Sequence, residues 1–319
     1  MNRRDTVLAL FALGVVPSAL WAQQASRVPR IGYLILENPE PAFGYFKEGL
    51  QKLGLHEGRN IQIEVRSAEG KQERLAELAA ELVRLKVEVL VVRLTPAILI
   101  AMQATREIPI VMAGAGDPVG TGLIASLARP GGNVTGTSST ATELSGKLLE
   151  FILELLPRAK RVAVLVNASD VFSKPFLAQI QSAGQKARVE ILPAMIREAS
   201  DIDNAFLDFV KRRPDFVIVQ PSLPLRHAAE LALKHRLPTI APSAPFANNG
   251  GLMAYSANAA DLHRDTAVYV DKILKGAKPG DLPVQQPTRF ELVINTKTAQ
   301  TLGIKIPQSL LLRADRVIE

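Results

Sequence analysis

One α/β run is written twice in this chain, and that duplication narrows the fold more than any other feature. Short apolar stretches begin at Ile31, Ile61, Val87 and Ile108, and comparable ones begin at Val162, Val189, Asp215 and Leu237, 128 to 131 residues later. In both halves the fourth stretch carries a proline, Pro109 and Pro238. The stretches around Ile31, Val87, Val162 and Asp215 are nearly continuous in Val, Ile, Leu and Ala, the pattern of parallel strands covered by helices on both faces. Helical periodicity fills the gaps, over 43–53, 72–85, 96–105, 175–187, 202–211 and 225–235. In the second of these, Leu75, Leu78, Ala79, Leu82 and Leu85 share one stripe. Alternating strands and helices predict parallel sheets with right-handed crossovers. A repeat this long implies two similar Rossmann-like lobes and not a solenoid.

The expected divisions are lobe 1 over 28–140, lobe 2 over 141–255, and a tail over 256–319 that returns across a hinge to complete lobe 1. Residues 1–22 read as a cleaved signal peptide. Arg3 and Arg4 precede an apolar stretch from Val7 to Val16, Pro17 breaks it, and Ala22 closes it before Gln23. The apolar stretch is too short for a spanning helix, which needs about 20 residues. Adjacent arginines resemble a twin-arginine export signal, although Thr6 stands where that motif usually has Phe. An exported protein with no stable membrane insertion is expected.

Several chemistries are excluded by composition. The chain has no cysteine, which removes disulfides, thiolate metal sites and thiol nucleophiles. Its net charge is +7, but the basic residues are dispersed, and Lys211-Arg212-Arg213 has no interleaved aromatics, so nucleic-acid binding is not expected. There is no G-x-S-x-G elbow, no Walker loop and no complete dinucleotide fingerprint around Gly114-Ala115-Gly116. His227 and Glu230 have the spacing of two ligands on one helix face but lack a patterned third. Asn133-Val134-Thr135 reads as a turn entering a strand. No catalytic, metal or cofactor site is expected.

Ligands of open parallel sheets bind beyond the carboxyl ends of the strands. The loops there are rich in Ser, Thr, Asn and Asp and lead into helix N-termini, which favour a carboxylate or phosphate. Thr95, Ser222 and Ser243 read equally well as plain helix caps when taken singly. Together with one acid, Asp117, they have the chemistry to hold a zwitterionic amino acid.

Longer stretches carry a resemblance to a known family. They are Gly116-Asp117-Pro118-Val119, the run from Ser126 to Gly136 through Arg129-Pro130-Gly131-Gly132-Asn133, and His235-Arg236-Leu237-Pro238 with Gly250-Gly251-Leu252-Met253-Ala254-Tyr255. Tyr269 to Gly276, and Phe290-Glu291-Leu292-Val293-Ile294-Asn295 with Lys297-Thr298-Ala299 and Leu302-Gly303, complete the set. In these the chain resembles ABC-transporter substrate-binding proteins of the tryptophan/tyrosine-type (TrpX-like) group, which have the type I periplasmic binding protein architecture. The resemblance implies a periplasmic receptor that closes over a small solute, an amino acid or similar small carboxylate, and delivers it to an ABC permease and its ATPase. It implies a monomer without a cofactor. It places the carboxylate on hydroxyls and backbone N–H groups including Thr95, and the ammonium on Asp117. Asn167, Ser222, Ser243 and Tyr255 would line the far side, and Tyr33 and Ser138 complete the candidate set. The alternatives are a secreted enzyme on the same scaffold and a solute sensor for a membrane receptor.

Overall fold

A computed structural model of the protein describes residues 28–319, so the signal-peptide reading of 1–22 lies outside the described residues. Lobe 1 is built on five strands, β1 (Arg30–Ile35), β2 (Gln62–Ser67), β3 (Val89–Val92), β4 (Ile110–Ala115) and β5 (Val134–Ser138). They are all parallel, in the order β2-β1-β3-β4-β5. Its helices are α1 (Ala42–Lys52), α2 (Leu75–Arg84) and α3 (Thr95–Ala104).

Lobe 2 repeats this plan. After α4 (Ala141–Leu155) come β6 (Arg161–Asn167), α5 (Ser173–Ala187), β7 (Glu190–Ile196), α6 (Ala199–Arg212), β8 (Phe216–Val219), α7 (Leu225–Lys234), β9 (Thr239–Ala241), α8 (Ala244–Asn248) and β10 (Met253–Ala257). The order β7-β6-β8-β9-β10 mirrors that of lobe 1, so the sequence repeat is also a repeat of topology.

Both faces of the central strands are buried, which is why those stretches are continuously apolar. Ile31, Tyr33 and Ile35 enter one core cluster of lobe 1, and Leu34 and Leu36 enter the other. Val162, Val164 and Val166 divide from Ala163 and Leu165 in the same way in lobe 2. This is the two-residue period of a strand with helices packed above and below it.

The tail departs from the expected return to lobe 1. Only α9 (Ala259–Leu274) and the stretch through Val284 and Gln285 pack there. Ala267, Tyr269, Val270 and Ile273 of α9 close the cluster of Ile31, Tyr33 and Phe46. The chain then crosses back, and β11 (Phe290–Asn295) pairs antiparallel with β10 while β12 (Arg316–Ile318) pairs with β11. Between them lie α10 (Thr296–Leu302) and α11 (Gln308–Arg313). The physical reason is edge protection: β10 would otherwise expose a row of unpaired backbone groups. The lobes are therefore joined by three crossings, at 138–141, 257–259 and 285–290.

Helices α1 and α9 meet backbone to backbone at Gly49, where a Cβ would lie 2.8 Å from Ala267 Cβ and 2.9 Å from Arg264 Cα. A Gly49→Val variant must push α9 off the sheet. Overpacking of this kind costs about 1–3 kcal/mol. Calorimetry is expected to show a lower Tm, and an unchanged Tm would mean that the two helices are not held together at this point.

Candidate functional site

A cavity lies between the lobes at the carboxyl ends of β3, β4, β6, β8 and β9. Small-molecule sites are concave and mostly apolar with a few placed polar groups, and this cavity has that character. Lobe 1 contributes Arg93, Thr95 and Gly116, lobe 2 contributes Asp170, Phe172, Ser222 and Ser243, and α9 contributes His263.

Thr95 opens α3 and is buried. The residue before it, Leu94, has φ 70° and ψ 143°, a conformation that a side chain of this size rarely adopts. Such strain is typical of positions held for function, and both Leu94 and Thr95 line the cavity. Arg93 forms an ion pair with Glu37, two residues beyond the end of β1. A guanidinium has five N–H donors, so this pair leaves others for the cavity.

On the opposite wall Asp170 is 4% exposed. Ser222 Oγ donates to its Oδ2 at 2.7 Å, Gln220 Nε2 donates to the same oxygen at 2.9 Å, and the Phe172 backbone N–H donates to Oδ1 at 2.9 Å. Gln220 is locked in this orientation because its Oε1 accepts from the Asn167 backbone N–H at 2.7 Å and from Ser173 Oγ at 2.8 Å. Burial raises the Asp170 pKa above the ordinary carboxylate value, and the Ser222 and Phe172 hydrogen bonds offset part of that shift. Asp170 is thus a shielded carboxylate with a fixed geometry and, among the described residues, no cation beside it in the cavity wall of lobe 2.

The candidates from the sequence divide on geometry. Thr95, Ser222 and Ser243 line the cavity. Asn167 lies beside it, hydrogen-bonded through Nδ2 to Ser222 at 3.4 Å and across the lobes to Gln72 Oε1 at 3.3 Å. The others are not part of its wall. Asp117 closes its own turn, accepting from the Gly120 N–H at 2.8 Å and from Thr142 Oγ1 at 3.2 Å. Ser138 lies at the first crossing, where its hydroxyl donates to Ala115 O at 3.2 Å and accepts from the Thr140 N–H. Tyr33 is fully buried against Phe43 and Phe46. Tyr255 packs on Phe151 and Phe290 in lobe 2.

Arg93, Asp170, Phe172 and His263 also line the cavity and lie outside the candidates from the sequence. Asp170 is within reach of the strand-end rule, since it lies three residues beyond Asn167, the last residue of β6. His227 and Glu230 pair instead with Asp203 and Arg226, and among the described residues no cluster of three or more metal-binding groups occurs. No helix of the described residues is long and apolar enough to cross a membrane.

Two α/β lobes joined by three crossings, with a mostly apolar cavity between them that carries Asp170, Arg93 and several hydroxyls, define a hinged solute-binding protein. The chain belongs to the ABC transporter substrate binding protein family, whose model matches residues 40–318. It is 28% identical over 265 residues to a tyrosine-binding protein of Clostridioides difficile (strain R20291), covering 82% of this chain and 76% of that one. It is similar to an ABC domain from Streptococcus pneumonia solved in complex with L-Trp, at 27% identity and TM-score 0.81, covering 91% of this chain and 99% of that one. A ligand-free, open substrate-binding protein from Clostridium difficile is also similar, at 25% identity and TM-score 0.63, with coverage of 91% and 99%. Identity is nearly equal in the two structures, yet the ligand-bound one fits better. The contacts across the cleft agree with a closed arrangement: Gln72 meets Asn167, and Gly116 lies against Phe172.

Proposed function

We propose that this chain is the periplasmic receptor of an ABC importer for an α-amino acid, with aromatic amino acids first among its solutes, and that it delivers them to a permease driven by its ATPase. The observation that carries the reading is the opposition of charges across the cavity. Asp170 on lobe 2 faces a wall of lobe 1 that holds Arg93 and the first residues of α3. A zwitterion fits this arrangement, with its ammonium on Asp170 and Ser222 and its carboxylate on Arg93 and the N–H groups around Thr95. The ring of Phe172 offers a flat apolar wall for the solute side chain. Relatives that bind tyrosine or L-Trp support the solute class.

Because each lobe holds one end of the solute, the bound molecule links them. Contacts made only when the lobes are together favour the closed state by their own free energy. No bond is made or broken. The permease would then read the closed shape, and the signal-peptide reading accounts for the location.

Titration calorimetry on ligand-stripped protein tests this reading. L-tyrosine or L-tryptophan is expected to bind as a single site, and binding of neither would remove the amino-acid assignment. The pH dependence follows from Asp170. Only the ionised carboxylate pairs with an ammonium, and burial makes this group take up its proton at a higher pH than an ordinary Asp. Affinity is therefore expected to fall on acidification before surface carboxylates titrate. A flat profile down to the ordinary Asp range would contradict the role of Asp170.

A further inference from the structure

His263 projects from α9 into the wall of the same cavity, is 3% exposed, and has no part in the reading above. Its Nδ1 is sealed from water without a hydrogen-bond partner among the described residues. Nε2 makes no hydrogen bond there either, and it is not among the sealed atoms, which makes it the nitrogen on the cavity side. Burial, together with the positive charge of Arg93, lowers the ring pKa to about 3, so the imidazole is neutral.

A neutral imidazole carries one N–H and one bare lone pair. A buried N–H without an acceptor is rarer in folded proteins than an unpaired acceptor, and it costs the full desolvation of the donor. The sealed Nδ1 therefore holds the lone pair, and the proton sits on Nε2, facing the cavity. Arg93 and His263 also both border the wider groove outside the cavity, which sets them side by side at its threshold. Among the described residues Arg93 is the one cation in the cavity wall, so the solute atom best placed between these two groups is an anionic oxygen.

We propose that His263 donates its Nε2–H to the carboxylate of the bound solute, forming one anion subsite with Arg93 and the start of α3. The assignment rests on the amino-acid reading and adds to it: the solute must carry a free carboxylate, and an uncharged donor helps to recognise it.

The test compares L-tyrosine with tyramine, and L-tryptophan with tryptamine, by titration calorimetry on wild type, His263→Leu and His263→Gln. Wild type is expected to bind each acid far better than its decarboxylated amine. His263→Leu should bind the acids roughly ten- to a hundredfold more weakly, as loss of a hydrogen bond to a charged group implies, with the amines little changed. His263→Gln retains a neutral N–H of similar reach and should recover most of the loss. Equal weakening toward acids and amines, or no recovery with Gln, would reduce His263 to a packing residue and overturn the assignment. Absence of binding of either acid to folded wild type would instead overturn the amino-acid reading itself. Unfolding curves for each variant confirm that folded protein is being compared.

Discussion

Asp170→Asn is expected to weaken binding of L-tyrosine or L-tryptophan by roughly thirty- to several-thousand-fold. Removing one partner of a buried, hydrogen-bonded charge pair costs about 2–5 kcal/mol, with each 1.4 kcal/mol a factor of ten. The ammonium loses its counter-charge and stays desolvated, which places the effect at the large end for a single atom exchange. A deaminated analogue, 3-(4-hydroxyphenyl)propionate, has no ammonium to lose and should bind wild type and variant about equally. The variant also pays within the protein. Ser222, Gln220 and the Phe172 N–H all donate to this carboxylate, and Gln220 cannot rotate because Asn167 and Ser173 hold its other end. One donor must then face the new amide N–H₂, a mismatch worth about 1–3 kcal/mol of stability. Thermal unfolding separates that loss from the binding loss. Equal weakening toward the amino acid and the deaminated analogue would show that Asp170 shapes the cavity without meeting the ammonium.

The second large effect concerns closure. A Cβ on Gly116 would lie 2.7 Å from the Phe172 ring, across the cleft. Gly116→Val should therefore leave each lobe folded while wedging them apart. The expected overpacking of about 1–3 kcal/mol corresponds to solute binding roughly five- to 150-fold weaker. Solution scattering with saturating L-tyrosine should show a larger radius of gyration than for wild type. Gly116 also borders the cavity, so the added methyls could act on the solute directly. The double variant Gly116→Val with Phe172→Ala distinguishes the two, because removing the ring relieves the wedge but not a clash with solute. Recovery of the compact form in the double variant is the expected result. Full compaction of Gly116→Val alone would contradict the closure argument.

Much of the fold was legible because the central strands are buried on both faces. Their continuous apolar runs mark strands, and α2 buries Leu75, Leu78, Ala79 and Leu82 as its stripe predicts. The apolar run of β11 also reads as a strand, but hydrophobicity does not say which sheet edge it will join. That choice depends on the exposed edge of β10, a feature of the assembled lobe. The site was less legible for a related reason. Position at a strand end is visible in sequence, whereas the direction of a side chain is set by local turn chemistry. Asp117 illustrates this, since Asp117-Pro118-Val119-Gly120 is itself a turn sequence in which the carboxylate caps the Gly120 N–H. The acid whose carboxylate faces the cavity, Asp170, has its orientation set by Gln220 and Ser222, some fifty residues away in the chain. His263 reaches the site only because α9 crosses back to lobe 1, a consequence of topology that no local motif announces.

The central claim is that one zwitterion bridges the lobes, with its ammonium on lobe 2 and its carboxylate on the lobe 1 side. The most direct measurement titrates ligand-stripped wild type with L-tyrosine, tyramine and 3-(4-hydroxyphenyl)propionate in parallel, with L-tryptophan and its two counterparts as a second series. The account predicts tight binding of the intact amino acid and a large loss of affinity when either charged group is removed. Binding of tyramine or of the deaminated acid as tightly as the parent amino acid would contradict it.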